Sequence, residues 1–283
     1  MDYGLNFNGD QPFIKIKKGA RIAEDEGFNY IWIGENPKFM HPFPVIAAVA
    51  EATSNITIGS GIISPFLNKC AHIGTGFKVL TEAYGDRFVI GIAPGDNLSL
   101  KQVGIEVKGN RIKECLQSLK AMRFKVFIGA SEPKLLGNTL CDGVLLNYVN
   151  QEYVRWALRF FEKPLYAATY SPSLLLPDED NKEALRIAAA TVATGSNPAF
   201  QREFGLESKI RKIRNILHRK EYGKLQKHDS FLLEGFTLSG SLAEIIDRID
   251  ELKKLGIKQI VFGSPMSNNL KSIEKLASII CAH

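Results

Sequence analysis

Residues 88–96 read Phe-Val-Ile-Gly-Ile-Ala-Pro-Gly-Asp, and this stretch is the clearest indication of the fold. Its first five residues form an almost continuous apolar run, which is typical of a parallel strand buried on both faces. A proline and a glycine follow at once, as they do in turns that end a strand. A parallel strand needs a long crossover to reach its neighbour, so the chain should alternate strands with helices.

The same alternation recurs along the whole chain. Strands are predicted at Tyr3–Phe7, Tyr30–Ile33, Ile56–Ile62, Phe88–Ile92, Lys125–Ile128, Gly143–Leu146, Leu165–Thr169 and Gln259–Phe262. Helical patterns between them include Ile14–Asp25, Val45–Ala52, Arg111–Met122, Glu152–Phe161 and Leu242–Lys254. Eight strands predict an α/β fold of the (β/α)₈ TIM-barrel type, whereas about six would fit an open doubly wound sheet. We expect residues 1–283 to form one such barrel domain.

The last third of the chain departs from a simple repeat. Ser171–Asp180 has the proline and polar composition of a loop, and an all-helical region follows from about Asn181 to Gln226. That region is too long for one crossover helix and predicts a helical insertion before strand eight. Ser241 and Glu244 then form a capping-box sequence at the start of the next helix.

Composition excludes several classes of protein. No apolar run reaches the ~18 residues of a membrane span, and the N-terminus lacks the pattern of a secretory signal, so we expect a cytoplasmic protein that does not bind membranes. The four cysteines are scattered, which favours free buried thiols. The histidines and cysteines show no metal-ligand spacing, so no metal site is predicted.

The net charge of +6 is unevenly distributed, because many positive residues fall between Lys209 and Lys227. Apolar residues recur there at helical spacing, so the segment is either a solvated helix face or a basic rim for a polyanionic cofactor or substrate tail. No nucleic-acid motif accompanies the charge, and no nucleic-acid partner is expected.

Function in a barrel belongs at the carboxyl ends of the strands. Glu35 directly follows strand two, where it is either an acid/base catalyst or an ordinary surface carboxylate. Asp96 follows strand four and is a ligand, a turn residue or a helix cap. Gly129-Ala130-Ser131 precedes Pro133 and is either a phosphate site with free amides or an ordinary turn. The chain has neither a Gly-x-Gly-x-x-Gly sequence nor a P-loop.

Several segments in order resemble the luciferase-like superfamily. They are Ala23–Ile33, Ile58–Pro65 and Phe88–Asp96 followed by Gly104-Ile105-Glu106. Gly195–Pro198, Arg202–Leu206 and Gly263–Pro265 resemble, within that superfamily, the methylenetetrahydromethanopterin reductases of methanogenic archaea. The similarity runs nearly from end to end.

The resemblance implies a luciferase-like barrel that binds the deazaflavin coenzyme F420, with FMN as the alternative. It implies hydride transfer to a pterin-type C1 carrier, a homodimer, and a non-proline cis peptide at Gly61–Ile62 within a bulge. Glu35 is then the catalytic candidate. The cofactor-binding candidates are Asn6, Asn36, Gly61, Ile62, Ile63, Pro94, Gly95, Asp96, Gly129, Ala130, Ser131 and Asn147.

This sequence differs from those reductases in three places, and the differences bear on which substrate is bound more than on the fold. The reductases have a glutamate at the position of Asn6 and an Asp-His pair at Glu35-Asn36. They also have an insertion where residues 120–123 here connect a helix almost directly to strand five. Three hypotheses follow: an F420-dependent reductase of a C1 carrier, an FMN-dependent monooxygenase or reductase, and a non-catalytic cofactor-binding paralogue.

Overall fold

Eight parallel strands close into a barrel in the computed structural model, which describes residues 1–130 and 132–281. The strands are β1 (Asp2–Asn8), β2 (Tyr30–Gly34), β3 (Thr57–Ile63), β4 (Phe88–Ile92), β5 (Val126–Gly129), β6 (Gly143–Leu146), β7 (Tyr166–Leu175) and β9 (Gln259–Gly263), with the short β8 (Leu238–Gly240) outside the barrel. Each of β1 to β6 pairs with the next strand, β6 pairs with β7, and β9 closes the ring between β7 and β1. The predicted TIM barrel and its eight strands are confirmed.

Helices surround this barrel and follow the predicted alternation. They are α1 (Phe13–Asp25), α2 (Pro42–Ala52), α3 (Cys70–Tyr84), α4 (Asn97–Gln102), α5 (Arg111–Ala121), α6 (Pro133–Leu136), α7 (Gln151–Leu158), α8 (Lys182–Thr194), α9 (Pro198–Glu203), α10 (Glu207–Arg219), α11 (Asp229–Phe236), α12 (Leu242–Lys254) and α13 (Leu270–Cys281). Two 3₁₀ helices span Tyr222–His228 and Met266–Asn268. The predicted capping box starts α12, where the Ser241 side chain and the Glu244 side chain each accept a backbone amide of the other residue. None of the described helices is long and apolar enough to cross a membrane.

The helical insertion before the last barrel strand is confirmed, although its borders differ from those predicted. Strand β7 continues to Leu175, so the predicted loop is wrong for residues 171–175. The reason is β8, which pairs with Ser173–Leu175 and satisfies backbone groups that the local sequence leaves without partners. The insertion, α8 to α11, extends to Phe236 and therefore leaves from and returns to the carboxyl end of β7.

The barrel interior is filled largely by aromatic and aliphatic side chains. Alternate residues of each strand point inward. The inner cluster contains Tyr30, Trp32, Val89, Phe127, Leu145, Ala168 and Val261, with Ile62, Tyr166 and Tyr170 packed against it. The outward side chains form the larger core beneath the helices. The barrel interior is thus a packed core, and the ligands of (β/α)₈ barrels bind at the carboxyl ends of the strands.

The cysteines do not follow the prediction of free thiols. Cys70, at the first turn of α3, forms a disulfide with Cys115 in α5, and their Cα atoms are 5.3 Å apart. The two helices are neighbours on the outside of the barrel, a relationship that sequence spacing does not reveal. Cys141 remains a free, buried thiol, and burial raises its pKa to about 11.

Candidate functional site at the barrel mouth

Glu35 lies at the carboxyl end of β2 and is held there by its neighbours. Its backbone N–H donates to the carbonyl of Ile62 over 3.2 Å. Its carboxylate accepts two hydrogen bonds of 2.7 Å, from the backbone N–H of Ser64 to Oε2 and from the side-chain amide of Asn68 to Oε1. The carboxyl group is therefore oriented by the loop that follows β3, as a fixed acid or base must be.

Burial changes the acidity of this carboxyl group. It raises the pKa of Glu35, and the hydrogen bonds from Ser64 and Asn68 and the charge of His41 offset the rise only in part. A half-buried carboxyl with a raised pKa releases and accepts a proton closer to neutral pH than an exposed glutamate does. The Glu35 carboxyl group is therefore partly buried and hydrogen-bonded rather than freely solvated.

The segment beside Glu35 has the expected backbone. The Gly61–Ile62 peptide bond is cis, and the ladder between β3 and β4 shifts register between Ser60 and Ile63. The Ile62 side chain points into the barrel, whereas Ile63 is fully buried in the outer core. The predicted cis peptide and bulge are both confirmed.

Two glycines near this bulge allow neighbouring side chains to lie close to the backbone. A Cβ at Gly129 would lie 2.9 Å from Cγ2 of Ile62 and 3.1 Å from Cβ of Ala93. A Cβ at Gly61 would lie 2.8 Å from Cβ of Trp32. Gly61 and Gly129 therefore allow Trp32 and Ile62 to lie directly against the backbone of β3 and β5, where a Cβ would collide with them.

The side chains of Asn6, Asn36 and Asp96 form hydrogen bonds with neighbouring groups at the carboxyl ends of the strands. The Asn6 side-chain amide donates to the carbonyl of Trp32 over 3.3 Å and is buried. The Asn36 side-chain amide donates to Oγ of Ser99 over 3.3 Å, and Ser99 in turn donates through its N–H and its hydroxyl to Asp96. Asp96 thus caps the first turn of α4, which agrees with the helix-cap alternative for this residue.

Pro94 and Gly95 lie beside the partners of Glu35. The Ser64 hydroxyl donates to the carbonyl of Pro94 over 2.7 Å. Gly95 adopts a positive φ of 89°, which favours glycine and turns the chain toward α4. The ends of β2, β3 and β4 therefore form one connected rim.

The candidate phosphate site, Gly129-Ala130-Ser131, differs from the prediction at one backbone amide. The N–H of Ala130 donates to the carbonyl of Leu145 over 3.3 Å, so the prediction that this amide is free is wrong. The neighbouring strand β6 extends far enough to occupy it. Ser131 lies outside the described residues. Asn147 follows β6 with an exposed side chain.

Two further polar residues at the mouth were not selected from the sequence. Tyr170 lies on β7 and packs against the inner cluster, and burial together with the charge of Asp10 raises its pKa to about 12. Burial also raises the pKa of Asp10, which follows β1. Tyr170 was missed because β7 was predicted to end at Thr169, and the position of Asp10 after a strand was the only available signal. Within residues 1–130 and 132–281, no group of three His, Cys, Asp or Glu residues is placed to hold a metal ion.

Comparison with known proteins agrees with this architecture. The family model for luciferase-like monooxygenases matches residues 5–125. The chain has a (β/α)₈ barrel fold that matches the luciferase-like fold. The resemblance to 5,10-methylenetetrahydromethanopterin reductases is also confirmed: the enzyme of Archaeoglobus fulgidus is 26% identical, and the alignment covers 99% of this chain and 98% of that protein.

Solved structures extend the likeness of the luciferase-like barrel. The coenzyme F420-dependent tetrahydromethanopterin reductase of Methanopyrus kandleri superposes with a TM-score of 0.87 at 23% identity, covering 100% of this chain and 99% of that one. The oxygenating constituent of 3,6-diketocamphane monooxygenase from Pseudomonas putida, in complex with FMN, has a TM-score of 0.67 at 15% identity, covering 100% and 98%. At these identities the structures establish the fold alone.

Proposed function

We propose that this chain is an oxidoreductase that binds coenzyme F420 at the barrel mouth and acts on a reduced pterin C1 carrier such as methylenetetrahydromethanopterin. The observation that carries the proposal is the Glu35 carboxyl group, which has a raised pKa and is held by Ser64 and Asn68 next to the cis peptide at the carboxyl end of the barrel. The whole-chain similarity to methylenetetrahydromethanopterin reductases supports the choice of cofactor and substrate class.

The surface next to Glu35 suits a flat, largely apolar ring. Ile62 packs against the inner aromatic cluster, and Gly61, Ile62 and Gly129 are only partly buried at the carboxyl ends of β3 and β5, so they can contact such a ring. We assign the ring contacts to Gly61, Ile62 and Gly129, and the polar groups of the cofactor to the rim that carries Asn36, Asp96 and Asn147. When bound, the deazaflavin supplies the hydride.

Glu35 is assigned the role of holding a proton near the reacting carbon. Asn68 and Ser64 orient both carboxyl oxygens, so the group can present a proton or a negative charge in a constant position. A negative carboxylate would stabilise positive charge on the carrier, and the neutral acid would donate a proton to a nitrogen of the pterin. Tyr170 and Asp10 are the polar groups that remain for substrate contacts.

The positions that differ from the reductases favour a second candidate, a paralogue with another substrate or without turnover. The amide of Asn6 is already used by the carbonyl of Trp32, and Asn36 is held by Ser99. Neither side chain carries a charge, so two groups that are ionisable in the reductases are neutral here. Residues 122–125 connect α5 directly to β5, which agrees with the missing insertion.

A cofactor titration followed by an assay tests the proposal. Reduced and oxidised F420 are added to the purified protein and binding is followed by quenching of the deazaflavin fluorescence, with FMN as the parallel titration. Micromolar F420 binding and reduction of methylenetetrahydromethanopterin are the expected results. FMN binding without F420 binding would instead select the FMN-dependent class, and F420 binding without turnover would select the paralogue. Light scattering on the same sample tests the proposed homodimer.

A further inference from the structure

The positive charge of this protein is concentrated in one segment. Residues 209–227 contain eight lysines and arginines and a single acidic residue, a net charge of +7, whereas the whole chain carries +6. The rest of the molecule therefore has a net charge of −1. Such a separation is unusual for a solvated helix face, where charges of both signs normally mix.

The fold arranges this segment around a groove. Helix α10 ends at Arg219, Lys220 reverses the chain with a positive φ of 55°, and the 3₁₀ helix Tyr222–His228 packs back against α10. The groove between them has a volume of about 330 Å³. Its charged lining consists of Lys212, Arg219, Lys224, Lys227, His228 and Glu221.

The lining has more cations than counter-charges, because Glu221 is its one acidic residue and interacts with both Lys224 and Arg219. Glu221 is bound to Lys224, with Nζ 2.7 Å from Oε2. Among the ion pairs formed by residues 1–130 and 132–281, none involves Lys212, Arg219 or Lys227. Like charges that converge on a concave surface repel one another and raise the local concentration of anions.

The pKa of His228 responds to this positive charge. Partial burial lowers its pKa, and the positive charges of Lys209 and Lys212 lower it further. The imidazole lines the same groove, so an anion bound there would reverse the electrostatic part of that effect.

We propose that this groove binds a compact polyanion that carries about three negatively charged oxygen groups, such as an oligophosphate or a tricarboxylate. Four cations and one carboxylate give the lining a net charge of +3, which sets the charge of the ligand, and the groove volume of about 330 Å³ favours a small molecule over an extended chain. The insertion leaves from and returns to the carboxyl end of β7, but no barrel strand lines the groove. The site is therefore separate from the mouth, and its occupancy does not depend on the proposed oxidoreductase activity.

Calorimetric titration with tripolyphosphate, and separately with citrate, tests the site. At least one probe should bind saturably at one site and raise the pKa of His228, as measured from its imidazole NMR signal. The double substitution Lys212→Glu and Arg219→Glu should weaken that binding at least about tenfold, the effect of losing two charge contacts. The control Lys78→Glu and Lys113→Glu changes the net charge equally on exposed positions of α3 and α5, and should leave the affinity unchanged.

Several results would overturn the proposal. If the control weakens binding as much as the groove variant does, the anion responds only to net charge. If neither probe saturates, or the pKa of His228 stays constant, the groove is not a polyanion site. Tighter binding of a random DNA duplex, with a steep salt dependence, would make the segment a nucleic-acid surface instead. Stronger binding of tripolyphosphate would indicate a phosphate ligand, and stronger binding of citrate a carboxylate ligand. In either case the variant with Lys212→Glu and Arg219→Glu should bind F420 as the wild type does.

Discussion

Asn68 donates its side-chain amide to Oε1 of Glu35 over 2.7 Å, and this bond connects the ends of two neighbouring barrel strands. The backbone N–H of Ser64 completes the arrangement by donating to Oε2 over the same distance. The Glu35 carboxyl group, which directly follows β2, is thus oriented by hydrogen bonds from the segment after β3. Since β3 also contains the cis peptide, the Glu35 carboxyl group and the bulged backbone of β3 belong to one hydrogen-bonded unit.

Replacing Glu35 with Gln tests the proposed acid. The amide keeps the size of the side chain but cannot exchange a proton, so turnover should fall about 10²–10⁴-fold. The dissociation constant for F420 should stay nearly unchanged, because the ring contacts are assigned to other residues. Steady-state kinetics and fluorescence titration measure the two effects. Glu26→Gln, at a half-buried position just beyond α1, is the matched control and should have wild-type turnover. Normal turnover in the Glu35 variant would remove Glu35 from the mechanism.

Replacing Asn68 with Ala should shift the pH dependence of the reaction. Its hydrogen bond lowers the pKa of Glu35 against the larger effect of burial, so its loss should raise that pKa further. The limb of the kcat/KM profile that reports Glu35 should move to higher pH, with a smaller loss at the optimum than in the Glu35 variant. A profile that keeps its midpoint and is only scaled down would mean that Asn68 has a purely structural role.

Glu35 should also make stability depend on pH. The pKa of its carboxyl group is raised in the folded protein above the ordinary value of 4.5. Its contribution to stability is therefore complete below pH 4.5 and is lost as the pH rises through the folded pKa. The free energy of unfolding of the wild type, minus that of Glu35→Gln, should decrease as the pH increases from 4 to 7 in urea titrations. A difference that is constant or increases with pH would contradict the raised pKa.

The helical insertion is fastened by Arg186, which binds Asp229 through two hydrogen bonds of 2.7 Å. The Arg186 side chain is 14% exposed, so the pair is partly shielded from water. Lysine cannot make the bidentate contact, and Arg186→Lys should cost about 1–3 kcal/mol of unfolding free energy. Arg159→Lys is the control, because Arg159 and Glu203 form an exposed single contact that should contribute about 0–1 kcal/mol. Equal losses in the two variants would refute this distinction.

The disulfide should make stability depend on redox conditions. Cys70 and Cys115 are 45 residues apart, and closing a loop of that length stabilises the folded chain by about 3–4 kcal/mol. Dithiothreitol should lower the urea midpoint of the wild type and of Cys141→Ser. It should leave unchanged a variant with serine at both 70 and 115. A wild-type midpoint that is insensitive to the reductant, with both thiols shown to be free, would contradict this account.

Segments of this chain differ in how well local sequence predicts their structure. Runs such as Phe88–Ile92 carry the strand signal themselves, because a buried parallel strand must be apolar on both faces. The capping box at Ser241 is equally local. The end of β7 was not predicted, because its partner β8 lies more than 60 residues later. A strand whose ladder partner comes from a distant segment has no local signal at its end.

The sequence by itself determined the barrel, the insertion, the position of Glu35 at a strand end and, through family resemblance, the cis bond at Gly61–Ile62. The barrel, the insertion and the position of Glu35 follow from periodicity and from the polarity of strand ends, which are local properties, whereas the cis bond follows from the resemblance alone. Only the tertiary structure decided that Asn68 holds Glu35, that Cys70 meets Cys115, that the amide of Ala130 is occupied, and that Lys212 and Arg219 face a groove. Each of these depends on which segments the closed barrel and its helices bring into contact, and hydrogen bonds, disulfides and electrostatic fields act through space at distances that chain position does not specify.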